Sequence, residues 1–190
     1  MKNIDAIIVP GGFGSRGTEG KINVIKYARE NNIPFLGLCF GLQLAVIEFA
    51  RNVCNLKDAN STEINSNTKN PIIDILPEQK NINNKGATMR LGAQKANLKT
   101  NTLACKVYGC CEAYERHRHR YEVNPDYHKI LEDNGLILSG LSSDNRLVEY
   151  IELPENKHKF FLATQSHPEL KSKFEHPNPL FYGLLNATLE

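Results

Sequence analysis

The sequence predicts an α/β fold in three layers, an open and mostly parallel sheet with helices on both faces. Three observations at the start of the chain carry this prediction. Ile4 to Val9 is a nearly continuous apolar, β-branched run, which is typical of a buried strand. Apolar residues at helical spacing from Glu19 to Asn31 indicate a helix, and the apolar run Pro34 to Leu38 indicates a second strand. This order of strand, helix and strand implies parallel pairing through a right-handed crossover.

The rest of the chain divides into polar connections, strands and helices. The stretch from Asn55 to Asn70 is rich in Asn, Ser, Thr and Lys, so we expect a long surface loop there, and another polar connection from Pro77 to Gly86. The later strands are closely spaced, so we expect some of them to be antiparallel. The further predicted strands are Thr88 to Leu98, Glu115 to Val123, Leu136 to Leu141, Leu147 to Leu153 and Phe160 to Thr164. The further predicted helices are Leu42 to Ala50, Pro125 to Asn134 and Leu180 to Leu189.

Length and composition indicate one globular domain, residues 1–190. Hydrophobic residues make up 41% of the chain and charged residues 23%, which is ordinary for a globular protein. The net charge of +2 gives no strong attraction to nucleic acid or to an anionic membrane, and no run approaches the ~18 apolar residues of a membrane span. Five cysteines without a recognisable secretory signal indicate reduced thiols, so we expect a cytoplasmic protein.

The segment Gly37 to Gly41 places Cys39 between two glycines, where a predicted strand turns into a predicted helix. This is the layout of a nucleophile elbow with Cys in the place of Ser. The glycines permit the close approach and unusual dihedrals of such a turn. The start of the helix then lies under the sulfur and favours its thiolate. A buried structural cysteine is an equally good interpretation of this segment taken alone.

A glycine-rich loop follows the first predicted strand. Gly12 to Gly17 fits the pattern G-x-G-x-x-G of dinucleotide sites, but the next strand ends in Cys39 instead of the acidic residue that binds the ribose. A phosphate loop also fails, because Ile22 stands where a magnesium-binding Ser or Thr is required. We interpret the loop as a source of bare backbone N–H groups beside the elbow, and such donors can stabilise an oxyanion.

Arginine and histidine alternate in the densest basic run of the chain, Arg116 to Arg120. On a strand, this alternation puts Arg116, Arg118 and Arg120 on one face and the histidines on the other. The run is short and isolated, which disfavours nucleic acid binding, and two histidines alone make a weak zinc site, so we predict no metal. An arginine that binds a ligand carboxylate is the favoured interpretation, because a guanidinium binds a carboxylate in a fork.

A histidine and a glutamate close the last predicted strand, with Pro168 between His167 and Glu169. A histidine can take the proton of a thiol, whose ordinary pKa is about 8.5, and a carboxylate can orient that histidine. A surface His-Pro turn is the simpler alternative and the favoured one for this segment alone. Cys39 and His167, however, both follow strands at their carboxyl ends, which is the edge where open α/β sheets bind ligands. Their shared position favours a Cys–His–Glu group.

Three segments together resemble the class I (triad) glutamine amidotransferases: Pro10 to Gly14, Gly37 to Gln43 and Gln165 to Glu169. Within that family the chain is similar to the glutaminase domain of CTP synthases over nearly its whole length. The segments that carry this narrower resemblance are Ala59 to Glu63, Thr88 to Gly92, Glu115 to Asn124 and Arg146 to Glu149. The resemblance implies the flavodoxin-like fold of that family and hydrolysis of glutamine to glutamate and ammonia.

The resemblance also implies roles for individual residues. Cys39 would be the nucleophile that forms a glutamyl thioester, His167 the general base and acid, and Glu169 the residue that orients His167. In the glutamine site, the N–H groups of Gly12 and Phe40 would form an oxyanion hole. Gly41 and Leu42 would line the pocket. The amino-acid end of glutamine would be held by Gln43, Glu63 and Arg120.

Partners and cofactors follow from the same resemblance. L-Glutamine would be the substrate, and ammonia would pass to a synthetase domain that uses ATP and magnesium to convert UTP to CTP. We expect that domain to be absent from this chain and expect no cofactor in the glutaminase domain itself. GTP would stimulate glutamine hydrolysis, with the segment around Arg90 near that control point. The parent enzyme would be a homo-oligomer, a tetramer.

Two departures from the family pattern stand out. An aromatic residue usually stands where this chain has Ser166, so we expect looser packing around His167. A strand–helix–strand unit usually precedes the Pro-Gly-Gly loop, and we expect this chain to lack it and to be a truncated fragment, marginally stable or weakly active alone. The remaining alternatives are another triad amidotransferase, a γ-glutamyl hydrolase, and a catalytically silent domain that serves assembly or regulation.

Overall fold

The computed structural model describes residues 4–75 and 89–189, which form ten strands and five α-helices. The strands are β1 (Ile7–Val9), β2 (Phe35–Leu38), β3 (Ala59–Ser61), β4 (Asn70–Asp74), β5 (Arg90–Leu98), β6 (Glu112–His119), β7 (Glu122–Val123), β8 (Ile137–Ser142), β9 (Val148–Glu152) and β10 (Phe161–Thr164). The helices are α1 (Thr18–Glu30), α2 (Phe40–Asn52), α3 (Leu103–Tyr108), α4 (His128–Asp133) and α5 (Pro179–Leu189). Among these helices, none has the length and apolar character needed to span a bilayer.

Seven strands form the main sheet, in the order β1-β2-β10-β9-β8-β5-β6. β2 pairs in parallel with β1 on one side and with β10 on the other. Every pair from β10 to β6 is antiparallel. The predicted open sheet with some antiparallel strands is confirmed, and its parallel part is narrower than we expected because it is confined to β1, β2 and β10.

The helices cover both faces of this sheet, as predicted. Side chains alternate along β2, so that Phe35 packs with α1 and α2 on one face and Leu36 packs with α3 and α5 on the other. The Phe35 ring also lies against Phe161 of the neighbouring β10, with ring centroids 4.6 Å apart. Two apolar cores therefore clamp the parallel strands, and the carboxyl ends of β2 and β10 are fixed side by side.

A second sheet, in the order β3-β4-β7, corrects two sequence predictions. The expected loop from Asn55 to Asn70 contains β3, and the expected strand from Glu115 to Val123 is divided between β6 in the main sheet and β7 in the second. β3 has the sequence Ala-Asn-Ser, yet all three residues are buried. Its polar composition resembles a loop, and its strand conformation comes from pairing with β4.

Helix α3 was not predicted, because its stability comes from residues outside it. The Glu152 carboxylate accepts hydrogen bonds from the N–H groups of Leu103 and Ala104 at 2.7 and 2.9 Å, which satisfies donors that a helix start leaves free. The other predicted elements of the described chain shift only at their ends, and the helix expected from Pro125 begins as a 3-10 turn before α4. The connection from Pro77 to Gly86 and the start of the strand at Thr88 lie outside the described residues.

Candidate active site

Cys39 occupies the turn between β2 and α2 in a conformation that non-glycine residues rarely adopt. Its φ and ψ are 49° and −99°, outside the helix and strand regions. The Cys39 N–H donates to the carbonyl of Thr164 at 2.7 Å. A Cβ on Gly41 would lie 2.2 Å from the carbonyl oxygen of Val9, so only glycine fits there. The structure thus has the sharp strand-to-helix turn that the glycines predict.

Two side chains approach the sulfur of Cys39. The imidazole of His167 lies near enough for the Cys39 side chain to raise its pKa, and Gln165 Nε2 donates to Sγ at 3.7 Å. The cysteine is only 4% exposed and stands at the N-cap of α2. The sulfur thus lies beside an amide N–H donor and an imidazole at the start of a helix.

His167 lies between Cys39 and Glu169. Its Nδ1 is 2.6 Å from Glu169 Oε1, and its backbone N–H donates to the carbonyl of Arg116 at 2.7 Å. The hydrogen bond to Cys39 and then the one to Glu169 raise the pKa of His167 to about 10. Partial burial acts to raise the pKa of Glu169, but the hydrogen bond from His167 holds it below its ordinary value. At neutral pH the pair is therefore an imidazolium and a carboxylate.

The loop between β1 and α1 packs directly against the imidazole of His167. A Cβ on Gly11 would lie 2.7 Å from Cε1 of that ring, closer than side chains approach one another. Gly11 therefore leaves the space that the ring occupies. Sequence reasoning gave Gly11 no role, because the contact joins residues at opposite ends of the chain.

A cavity of ≈ 570 Å³ opens beside Cys39 and His167, a size that suits a small-molecule ligand. Three further residues predicted for the site line it: Gly12, Glu63 and Arg120. The remaining lining residues are Phe13, Met89, Arg118, His119 and Tyr121. The structure therefore brings together five residues, widely separated in the chain, that the sequence assigned to one site.

Opposite charges are present on the cavity wall. Glu63 Oε1 accepts a hydrogen bond from the N–H of Gly14 at 3.2 Å, and the partly buried Arg120 follows the end of β6. Burial raises the pKa of the nearby Tyr121, Glu63 raises it further, and Arg120 opposes both. A carboxylate and a guanidinium in one small cavity can bind the ammonium and carboxylate of an amino acid.

Four predicted glutamine-site residues are buried at the start of α2 and do not line this cavity: Phe40, Gly41, Leu42 and Gln43. The amide of Gln43 lies behind the cavity wall. Its Nε2 donates to the carbonyl of Tyr121 at 3.1 Å and to Oε1 of Gln165 at 3.3 Å. Direct contact between these four residues and a ligand stays a prediction.

Gln165 is a site residue that sequence reasoning did not single out. It is fully buried and links Gln43 to the sulfur of Cys39 through its two amide atoms. Its position was accessible from strand pairing, since Thr164 is the register partner of Leu38 and the next residues of both strands are then neighbours. The sequence motif contains Gln165, but an amide between titratable residues carries no signal of its own that marks it as a site residue.

The basic run has the predicted alternation on β6. Arg116 and Arg118 are exposed, whereas His117 and His119 are buried, and Arg120 lies beyond the end of the strand. His117 Nδ1 and His119 Nε2 share a hydrogen bond of 2.8 Å. Burial lowers the pKa of both rings, to about 3 for His117. Both histidines are therefore neutral near pH 7.

Charged side chains surround these histidines inside the fold. Arg90 lies 2.7 Å from a carboxylate oxygen of Glu149 and 3.4 Å from one of Glu122. Burial raises the pKa of Glu122 to about 8, although Arg90 opposes the shift. The side chain of Arg90 is thus engaged within the fold, and a nucleotide control point near it stays a prediction.

The side chain of Ser166, next to His167, is buried and hydrogen-bonded. Ser166 is 1% exposed, and its hydroxyl lies 2.7 Å from Oγ1 of Thr164. Tyr150 is also buried, and its hydroxyl lies 3.0 Å from that of Tyr108. Looser packing around His167 itself stays a prediction.

Comparison with known proteins identifies one family. A model of the family described as "Glutamine amidotransferase class-I" matches residues 1–187. CTP synthase of Methanocaldococcus jannaschii is 64% identical over 186 residues, covering 98% of this chain and 34% of that protein. CTP synthase of Saccharolobus solfataricus is 62% identical over 187 residues, covering 98% and 34%. The chain thus spans about a third of the length of the curated relatives it matches.

A solved structure gives the same result at the level of the fold. The glutaminase domain of Trypanosoma brucei CTPS, with bound acivicin, matches with a TM-score of 0.89 and 40% sequence identity. The match covers 97% of this chain and 71% of that one. The architecture described above is therefore the fold of that domain.

Proposed function

The chain belongs to the class-I glutamine amidotransferase family, and from this premise we propose that it hydrolyses glutamine to glutamate and ammonia at Cys39. The observation that carries the proposal is the row of Cys39, His167 and Glu169 beside a cavity with opposite charges: Glu169 hydrogen-bonds to His167, and Cys39 raises the pKa of His167. Acyl transfer of this kind needs a nucleophile, a base that later acts as an acid, and a group that orients the base. Each of the three side chains has the chemistry of one of these roles.

The first half-reaction begins when the thiolate of Cys39 attacks the side-chain carbonyl carbon of glutamine. A C–S bond forms, and the carbonyl oxygen becomes an oxyanion that the N–H groups of Gly12 and Phe40 stabilise. His167, already protonated, gives its proton to the amide nitrogen. The C–N bond then breaks, ammonia leaves, and a glutamyl thioester remains on the sulfur.

The second half-reaction hydrolyses this thioester. His167 is now neutral and takes a proton from a water molecule as the water oxygen attacks the thioester carbonyl. The C–S bond breaks, glutamate leaves, and Cys39 departs as a thiolate beside the imidazolium. Glu169 holds the ring in one orientation through both half-reactions.

Gln165 stabilises the thiolate in this scheme. Its amide N–H donates to the sulfur, and a hydrogen bond to a buried anion replaces solvation that the anion has lost. Gln43 donates to the amide oxygen of Gln165, which leaves the N–H side facing the sulfur. Gln165 thus acts on the reacting atom, and Gln43 positions Gln165.

The charged residues of the cavity bind the amino-acid end of glutamine. Glu63 pairs with the α-ammonium and Arg120 with the α-carboxylate. The two charges fix the substrate at the end remote from the reacting amide. Gly41, Leu42 and Gln43 complete the pocket from the start of α2.

We extend the proposal to a longer protein, because the matched relatives are named CTP synthase and are about three times as long as this chain. Ammonia passes to a synthetase domain that uses ATP and magnesium to convert UTP to CTP. GTP stimulates the glutaminase step, and the enzyme is a cytoplasmic homotetramer. We assign no residue of this chain to ATP or magnesium.

The test is glutamate release from glutamine by the unaltered chain and by Cys39→Ala. We expect the substitution to lower the rate at least about 10⁴-fold, because the covalent route is lost. Cys54→Ala is the matched control, since Cys54 lies away from the cavity and hydrogen-bonds to the carbonyl of Ile130. A glutamine-like chloroketone should label Cys39 in the unaltered chain.

Other outcomes would replace the proposal. Retained glutamate release in Cys39→Ala would eliminate Cys39 as the nucleophile. Turnover of γ-glutamyl peptides without turnover of free glutamine would identify a γ-glutamyl hydrolase. A folded chain in which Cys39 resists the chloroketone would identify a catalytically silent domain.

A further inference from the structure

We propose that Cys105 and Cys111 form a redox-active thiol pair, which a peroxide converts into an intramolecular disulfide. Their sulfur atoms are 2.9 Å apart. A disulfide bond is about 2.05 Å long, so bond formation needs a movement of less than about 1 Å. The pair lies outside the cavity that contains Cys39 and has no part in glutamine hydrolysis.

Hydrogen bonds outside the pair hold Cys105 in place. Cys105 is in α3, whose first N–H groups donate to Glu152. Its own backbone N–H donates to Oγ1 of Thr102 at 3.3 Å, and that hydroxyl donates to the carbonyl of Lys99. The backbone of Cys105 is therefore held by hydrogen bonds that do not involve Cys111.

The backbone of Cys111 is fixed in a different way. Helix α3 ends at Gly109, whose φ of 68° reverses the chain. The carbonyl of Cys111 then accepts a hydrogen bond from the N–H of Leu98 at 2.9 Å. Each thiol thus lies on a segment with its own hydrogen bonds. The short distance between the two sulfur atoms is therefore determined by the fold.

The structure distinguishes this pair from the third thiol nearby. Cys110 directs its sulfur to the carbonyl of Glu112 at 3.0 Å, and its adjacency to Cys111 gives poor geometry for a disulfide. Cys111 is exposed and Cys105 is partly buried, so a small oxidant reaches the pair from solvent. Cys54, in contrast, packs against the core far along the chain from the pair and directs its sulfur to the carbonyl of Ile130.

The chemistry balances with one molecule of peroxide. Cys111 is the more exposed of the two, so Cys111 reacts first. Its sulfur gives up its proton and attacks a peroxide oxygen, the O–O bond breaks, a sulfenic acid forms, and the departing hydroxide takes that proton and becomes water. The sulfur of Cys105 attacks the sulfenic sulfur, its proton goes to the leaving oxygen, and a second water leaves. Two thiols are oxidised to a disulfide while one hydrogen peroxide is reduced to two waters.

The disulfide would constrain the turn at Gly109 and the junction of α3 with β6. Closing this short loop limits the unfolded chain more than the folded one. We expect the midpoint of thermal unfolding to rise by about 4–8 °C on oxidation. A thiol reductant should reverse the change, as it does for transient disulfides in reducing compartments.

The experiment treats the reduced full chain with one equivalent of hydrogen peroxide and maps its peptides without reduction. Trypsin cuts after Lys99, Lys106 and Arg116, so the pair lies on two separate peptides, 100–106 and 107–116. We expect these peptides to be joined with the loss of two hydrogens, and fragmentation to place the bond between Cys105 and Cys111. Cys110→Ser should retain the bond, and Cys111→Ser should lose both the bond and the rise in midpoint.

Three results would overturn the proposal. The first is a bond from Cys105 that forms through Cys110 as readily as through Cys111. The second is conversion of all three thiols to higher oxides without any cross-link. The third is a cross-link that leaves the unfolding midpoint unchanged. Peptide mapping of the unaltered protein decides the first two even where a variant fails to fold.

Discussion

The thiol of Cys39 and the thiol pair of Cys105 and Cys111 show how differently one fold can prepare the same functional group. Cys39 is buried, stands on a strained turn at a helix N-terminus, and contacts an imidazole and an amide. The other two sulfurs are near the surface and contact each other. In the proposed reactions, the first setting suits a sulfur that attacks carbon, and the second suits bond formation between sulfurs. The surroundings, more than the thiol, determine the chemistry in each region.

The largest effect on glutamate release is expected from removing the imidazole beside Cys39. Replacing His167 by Asn removes the proton donor and acceptor, and we expect glutamate release to fall about 10²–10⁴-fold. His176→Asn is the matched control, because His176 is exposed and lies outside the cavity. The rate of glutamate release is measured for both variants by steady-state kinetics. An unchanged rate in His167→Asn would show that the imidazole takes no part in the mechanism.

A smaller effect is expected from displacing the imidazole without removing it. The methyl group of Gly11→Ala would overlap the ring of His167, and we expect kcat to fall about 10–10²-fold. Thermal unfolding should show a chain of nearly unaltered stability. Gly20→Ala serves as the control, since no atom lies within 4 Å of the added Cβ. Full activity in Gly11→Ala would mean that the ring position is not critical.

The amide contact to the sulfur should have a still smaller effect. Gln165→Met removes the donor while keeping similar volume, and we expect kcat to fall about tenfold, as for loss of a hydrogen bond to a charged group. The alkylation of Cys39 by iodoacetamide near pH 7 should slow as well, because less thiolate is present. Gln94→Met, at an amide that donates to the carbonyl of Leu91, is the control. Unaltered alkylation in Gln165→Met would show that the amide does not stabilise the anion.

The weakest effect is a shift in pH dependence. Acylation needs His167 protonated, so the rate should hold below pH 10 and fall as the pH rises through about 10. Glu169→Gln removes one of the two hydrogen bonds that raise the pKa of His167, and the alkaline limb should move to lower pH. A rate profile from pH 7 to 11 measures this shift. If the rate falls at the same pH in Glu169→Gln, the raised pKa of His167 would be due to Cys39 alone.

The region around Cys39 could be predicted from the sequence because its signals are local. Apolar runs mark β2 and β10, the glycines mark the turn, and parallel pairing places Cys39 and His167 at one edge. The contacts of Gly11 and Gln165 could not be predicted in the same way. They depend on which atoms meet across neighbouring strands and loops, and residue spacing does not contain that information.

The region around Cys105 was missed because its structure depends on distant residues. Helix α3 has only six residues, and a helix this short is unstable without tertiary contacts. The carboxylate of Glu152 supplies such contacts from β9. The second sheet was missed for a similar reason, since Asn60 and Ser61 of β3 are polar but buried by pairing with β4. When polar groups find their hydrogen-bond partners in distant parts of the chain, the local sequence shows no helical or strand periodicity.

The direct test of the central claim is an NMR titration of the imidazole of His167, in the unaltered chain and in Cys39→Ala. A thiolate–imidazolium pair predicts a pKa of about 10 in the unaltered chain and a lower value when the sulfur is removed. A ring that titrates near its ordinary value of about 6.5 in both proteins would contradict the pairing of Cys39 with His167.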